Sequence, residues 1–167
     1  MKNYTISLLP DNNTRRAIEE FRINTIGQVL VDSMSPHVTL KRRFVLNDKF
    51  SEEDLIHYFK TLRYKKFEID FAPAEMLADA LVLVGKSSEL SIAHNRIVED
   101  LQGKILTKNP EWEMENYVIH LTLLRGYGAE VTPPILERAM FDTIALYEID
   151  PGPERSYVNK LATIELN

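Results

Sequence analysis

The sequence predicts an α+β fold in one bilobal domain. Two strand–helix–strand–helix–strand units are related by a pseudo-two-fold axis, and their motif strands line a shared central cleft. Three observations carry this expectation. A short string occurs twice, as Pro36-His37-Val38-Thr39-Leu40 and as Ile119-His120-Leu121-Thr122-Leu123. The apolar periodicity around each copy runs in the same order of elements. The length, 167 residues, suits one domain with a sizeable core or two small fused lobes.

The first half opens with a strand over 4–9 and a helix over 13–22, with Ala17, Ile18 and Phe21 on one face. The first motif strand follows at 36–45. A helix over 51–63 comes next, opened by Ser51-Glu52-Glu53-Asp54 in capping-box spacing and carrying Leu55, Ile56, Phe59 and Leu62. Alternation over 67–71 closes the half with a strand. In the second half a strand at 80–84 leads to a helix over 88–102, with Leu90, Ala93, Ile97, Val98 and Leu101 in one stripe and Gly103 as the C-terminal cap. The second motif strand spans 117–124. Thr132 and Pro133 read as the start of a short helix to about 140, with threonine as cap and proline at its first position. Strands at 141–149 and 157–165 finish the chain, joined by the turn Pro151-Gly152-Pro153. This divides the domain into one lobe at about 1–71 and another at about 79–167, with 72–79 crossing between them. The less regular segments 24–35 and 104–115 each precede a motif strand and are expected to form loops over the cleft.

Composition narrows the function. There are 20 basic and 25 acidic residues, a net charge of −5. That balance argues against long duplex nucleic acid as a partner, since duplex binding needs many phosphate contacts from basic residues. The chain has no cysteine, so disulfides and thiolate metal sites are excluded. The apolar run at 1–10 is too short for a signal peptide, and no stretch approaches a membrane span. A cytoplasmic protein with no membrane partner is therefore expected.

The chemistry lies in the motifs. In a strand, residues two apart share a face, roughly 7 Å from each other. His37 and Thr39 then share an open face, as do His120 and Thr122, while Val38, Leu40, Ile119, Leu121 and Leu123 turn to the core. A threonine hydroxyl donates to a phosphoryl oxygen, and a histidine moves a proton near neutral pH. Two such pairs supply a base for one side of a reaction and an acid for the other.

The duplicated string resembles the signature of the two-histidine phosphoesterase superfamily, which includes RNA 2′,5′-ligase-like proteins and cyclic nucleotide phosphodiesterases. The pattern is apolar-His-apolar-Thr/Ser-apolar, twice in one chain. The second copy fits at every position, and the first departs only at Pro36. The resemblance covers nearly the whole chain. It implies the bilobal α+β fold and a catalytic role for His37, His120, Thr39 and Thr122.

Other candidates are weaker. Lys41 and Arg43 continue the odd-numbered face of the first motif strand and are candidates for binding phosphate, set against an ordinary solvated basic run. Arg42 and Arg125 have the opposite parity, although a bulge at Gly126 is one way to turn Arg125 inward. Tyr127 is a candidate for stacking on a base, set against a rim residue. His94 falls on the apolar stripe of its helix and reads as a packed histidine, and His57 has no acidic partner in the pattern. Neither has metal-ligand spacing around it. Glycine-rich phosphate loops and a nucleophile elbow are both missing.

The expectation is a metal-independent, cofactor-free enzyme. It would hydrolyse a ribose cyclic phosphate or a 2′,5′-phosphodiester of a small nucleotide or RNA end, with 2′,5′ ligation as the reverse reaction. The alternative is a non-catalytic module that binds nucleotides or RNA ends in the same cleft.

Overall fold

The computed structural model describes residues 2–26, 34–126, 131–151 and 156–167. The elements run β1 (Asn3–Pro10), α1 (Asn12–Ile26), β2 (Val38–Leu46), α2 (Glu52–Thr61), β3 (Phe67–Phe71), β4 (Glu75–Leu77), β5 (Ala80–Lys86), α3 (Ser88–Leu101), β6 (Ile105–Thr107), β7 (His120–Arg125), β8 (Arg138–Pro151) and β9 (Ser156–Glu165).

Local chemistry sets the helix ends. Asp11 accepts the Thr14 N–H at 2.8 Å and starts α1 earlier than the apolar stripe suggests. Ser51 and Asp54 form the expected capping box on α2. Gly103 follows α3 at φ +74°, a left-handed position that glycine takes without a steric penalty.

All strand pairings are antiparallel, and they close into a ring: β1–β2–β7–β5–β3–β8 and back to β1. Strands β4, β6 and β9 add to β5, β2 and β8. One face of β1, with Tyr4, Ile6 and Leu8, joins Phe44, Leu55, Phe59, Ile144 and Leu146 in the core. Both motif strands therefore sit next to each other, in the middle of a buried scaffold.

The connections have three further features. The pairings cross the boundary expected at 72–79, because each half's later strand joins the other half's opening strand. β3 pairs with β5, and β8 pairs with β1. Residues 72–79 contain β4, which folds back on β5 as a hairpin through Ala78 at φ 54°. The helix expected over 132–140 does not form. Pro134 disfavours helical backbone at Pro133, and Glu137 and Arg138 are already taken up by β3. Phe71 N–H donates to Glu137 O at 2.8 Å, and Arg138 pairs with Asp70.

The segment 104–115 is more ordered than a cleft loop. It holds β6 and two short 3-10 turns, Pro110–Trp112 and Met114–Asn116. Of 24–35, residues 24–26 end α1, and 27–33 lie outside the described residues. No helix among the described residues is long and apolar enough to cross a membrane.

Candidate active site

The motif strands β2 and β7 share one bridge, Val38 opposite Leu121. Both residues are the middle of a His-x-Thr triplet, and the strands are antiparallel. His37 therefore falls opposite Thr122, and Thr39 opposite His120. All four are half-buried while Val38 and Leu121 are fully buried, so the four polar side chains share one face. The two histidines are diagonal neighbours, with Cα atoms about 7–8 Å apart in such an array.

The histidines are held alike. His37 Nδ1 lies 2.9 Å from the carbonyl of Ser35, and His120 Nδ1 lies 3.0 Å from that of Val118. A carbonyl only accepts, so Nδ1 carries the proton in both rings. Among the described residues Nε2 of neither ring has a hydrogen-bond partner, and this is the nitrogen that can exchange a proton. Burial pushes the His37 imidazole down from 6.5 to about 4. The Ser35 carbonyl opposes this, while Arg22, His120 and Arg125 add to it through their charge.

Each motif then bulges at the same place. Ser7 pairs with Thr39 but Ile6 with Lys41, so Leu40 is an extra residue. Val82 pairs with Thr122 but Leu81 with Leu124, so Leu123 is extra. A bulge shifts side-chain parity by one. Leu40 and Lys41 are both buried, as are Leu123 and Leu124.

This corrects the placement of Lys41. Its side chain turns into the protein, where the ammonium pairs with Glu113 and donates to Thr107 Oγ1 at 2.7 Å. It is not available to a phosphate. Simple alternation fails because the bulge comes between Thr39 and Lys41, which returns Arg42 to the face of His37. Arg42 stacks over the Trp112 ring at 4.9 Å. Arg43 is exposed within a second register shift, between Lys41 and Phe44. Arg125 holds the matching position in the second motif, paired with Asp79 at 3.1 Å. The turning bulge is at Leu123, before Gly126. The signal was present in the sequence, since the repeat extends to Arg42 and Arg125 as HVTLKR and HLTLLR. Tyr127 lies outside the described residues.

His94 is buried in the core and bonded, as expected, and His57 is exposed on α2. Arg22 carried no local signal, because its partners are about a hundred positions on: it donates to Thr122 O and Leu123 O, both at 2.9 Å. Among the described residues no group of three or more His, Asp or Glu is arranged to hold a metal ion.

Residues 9–153 match the 2′-5′ RNA ligase superfamily. The chain belongs to this superfamily. The fold agrees with solved structures along the full length. Escherichia coli LigT complexed with 3′-AMP is 18% identical with a TM-score of 0.64, over 99% of this chain and 98% of that one. LigT complexed with ATP is 16% identical with a TM-score of 0.66 over the same shares. TT0787 of Thermus thermophilus is 16% identical with a TM-score of 0.59, over 98% of this chain and 97% of that one. No curated protein sequence matches. The 2′-5′ RNA ligase superfamily is a phosphoesterase family, so membership agrees with the resemblance carried by the two His-x-Thr strings and suggests an enzyme.

Proposed function

We propose that this cleft hydrolyses a ribose 2′,3′-cyclic phosphate or a 2′,5′-phosphodiester, on a small nucleotide or an RNA end, using its two histidines and no metal. The observation that carries the reading is the Val38–Leu121 bridge. It supports a site in which each histidine stands beside the other motif's threonine, with both Nδ1 atoms engaged and both Nε2 atoms left for proton transfer.

His37 is the base in this reading, since its low pKa keeps Nε2 unprotonated through the neutral range. It takes a proton from water as the water oxygen bonds to phosphorus. The phosphorus–ribose oxygen bond breaks on the far side, and His120 protonates the departing oxygen. Thr39 and Thr122 donate to the non-bridging oxygens as charge builds there. Arg125 adds positive charge beside the site. Joining ends through a 2′,5′ linkage is the same in-line step with a 5′-hydroxyl in place of water: its oxygen bonds to the phosphorus of a 2′,3′-cyclic phosphate as the bond to the 3′ oxygen breaks. Solved structures of LigT with 3′-AMP, ATP and NADP+ support a nucleotide-sized ligand. The net charge of −5 disfavours long duplexes.

The test is turnover of nucleoside 2′,3′-cyclic phosphates and of a 2′,5′-linked dinucleotide by the wild-type chain, His37→Ala and His120→Ala. Wild-type turnover with a loss of about 10²–10⁴-fold in each variant is expected. Nucleotide binding without turnover in the wild type would make the protein a binding module instead.

A further inference from the structure

A bulge leaves ladder carbonyls without a strand partner. Here each motif bulge presents two consecutive carbonyls, those of the threonine and of the leucine after it. In the second motif one guanidinium takes both, with Arg22 Nη2 on Thr122 O and Nε on Leu123 O. In the first motif two side chains share the work. The Tyr117 hydroxyl donates to Thr39 O at 2.7 Å, and His94 Nδ1 donates to Leu40 O at 2.8 Å.

These two rings act as one body. They are stacked 3.8 Å apart and 6° from parallel. His94 Nε2 accepts the Met114 N–H at 3.1 Å, which keeps the proton on Nδ1. A stacked tyrosine–histidine pair thus presents two donors to Thr39 and Leu40 where a planar guanidinium presents two to Thr122 and Leu123. The clamps also cross over. Arg22 precedes the first motif and holds the second, while His94 and Tyr117 precede the second motif and hold the first.

We propose that Arg22 and the Tyr117–His94 pair are positioning residues, matched clamps that fix the backbone at each motif bulge and so aim the Thr39 and Thr122 hydroxyls at the phosphate. The inference rests on the catalytic reading above, in which those hydroxyls meet the charge that builds on phosphorus. Thr39 and Thr122 are each the last residue in register before a bulge, paired with Ser7 and Val82, and the clamps fix the backbone where that ladder breaks. Burying the Arg22 guanidinium, whose pKa is drawn down by that burial, is costly unless its donors are used. The two carbonyls use them.

The test couples each clamp to its threonine. Tyr117→Phe removes one hydroxyl and keeps the ring stack, and it is expected to lower kcat about fivefold with little change in KM. Arg22→Lys keeps the charge but loses the fork, and it is expected to lower kcat about tenfold or more. In a Thr39→Val background Tyr117→Phe is expected to cost nothing further, and likewise Arg22→Lys in a Thr122→Val background. Fully additive losses would overturn the proposal, because they would place the effect outside the threonines. If the wild type turns over neither a cyclic phosphate nor a 2′,5′-linked dinucleotide, the catalytic reading fails. The clamps are then read in a crystal structure of Arg22→Gln, where the Leu123 bulge is expected to shift. An unchanged bulge would overturn them.

Discussion

Val38 and Leu121 face each other at the one bridge between the motif strands, and neither is exposed to solvent. Their backbones set which histidine sits beside which threonine, and their side chains fill the core directly beneath these four residues. The polar array is held from below by this apolar pair. Leu121→Ala is expected to cost roughly 2–5 kcal/mol, the usual range for a buried leucine. Turnover of the variant, measured where it is still folded, should fall as the strands part. Urea unfolding and cyclic-phosphate kinetics on one preparation check both. A destabilised protein with full activity would contradict the support role.

Burial holds the His37 pKa at about 4 against an ordinary 6.5. The folded state therefore binds that proton later than the unfolded chain. Between these values the unfolded state carries more protons, so stability rises with pH and is lost as pH falls through the window. His94, also lowered by burial, adds a term of the same sign. Denaturant midpoints from pH 4 to 7 should show this slope, and His37→Gln should reduce it.

The same depression predicts the acid limb of kcat/KM, which reports groups on the free enzyme. With His37 as base, activity should persist below pH 6 and fall near pH 4. An acid limb at about 6.5, the unperturbed histidine value, would remove His37 from the base role.

Lys41 and Glu113 form a buried ion pair, while the matching position of the second motif is the apolar Leu124. Glu113→Ala should strand the ammonium and cost about 3–5 kcal/mol. The double variant Lys41→Met/Glu113→Leu should recover most of that loss, since apolar replacement of a buried pair is often neutral or stabilising. Equilibrium unfolding of both variants is the measurement.

Gly85 lies where β5 passes close to its neighbours. A Cβ there would come within 2.5 Å of Ile69 Cγ2 and 3.0 Å of both Ile119 Cγ2 and Phe71 Cε1. Gly85→Ala should cost about 1–3 kcal/mol by overpacking. It should also lower turnover, because Ile119 is the residue before His120. Normal kinetics in a destabilised variant would confine the effect to the core.

Activity should survive chelation. The motif side chains are two histidines assigned to proton transfer and two threonines, with no carboxylate among them. Loss of turnover in a chelator, restored by a divalent cation, would replace this mechanism with a metal-assisted one.

Much of the fold was legible because local forces decide it. The capping box at Ser51, the turn at Gly103 and the apolar stripes of α1, α2 and α3 depend on residues within a few positions of each other. The missed helix at 132–140 shows the limit of such reasoning. Threonine and proline gave a plausible start, but the second proline and the pairing of Arg138 with Asp70 favoured strand. Tertiary pairing outweighs weak propensity. Lys41 was misplaced for a related reason, since strict alternation assumes an unbroken strand, and the bulge at Leu40 depends on β1.

By itself the sequence determined which four side chains are candidates for the chemistry, and that they come in two equivalent sets, because a His-x-Thr repeat in an apolar run survives any arrangement of the two halves. Only the tertiary structure decided how the sets meet. The Val38–Leu121 bridge, the paired bulges and the clamps from Arg22, His94 and Tyr117 join residues distant along the chain, and no local pattern encodes a contact whose partner is chosen by the closing of the sheet.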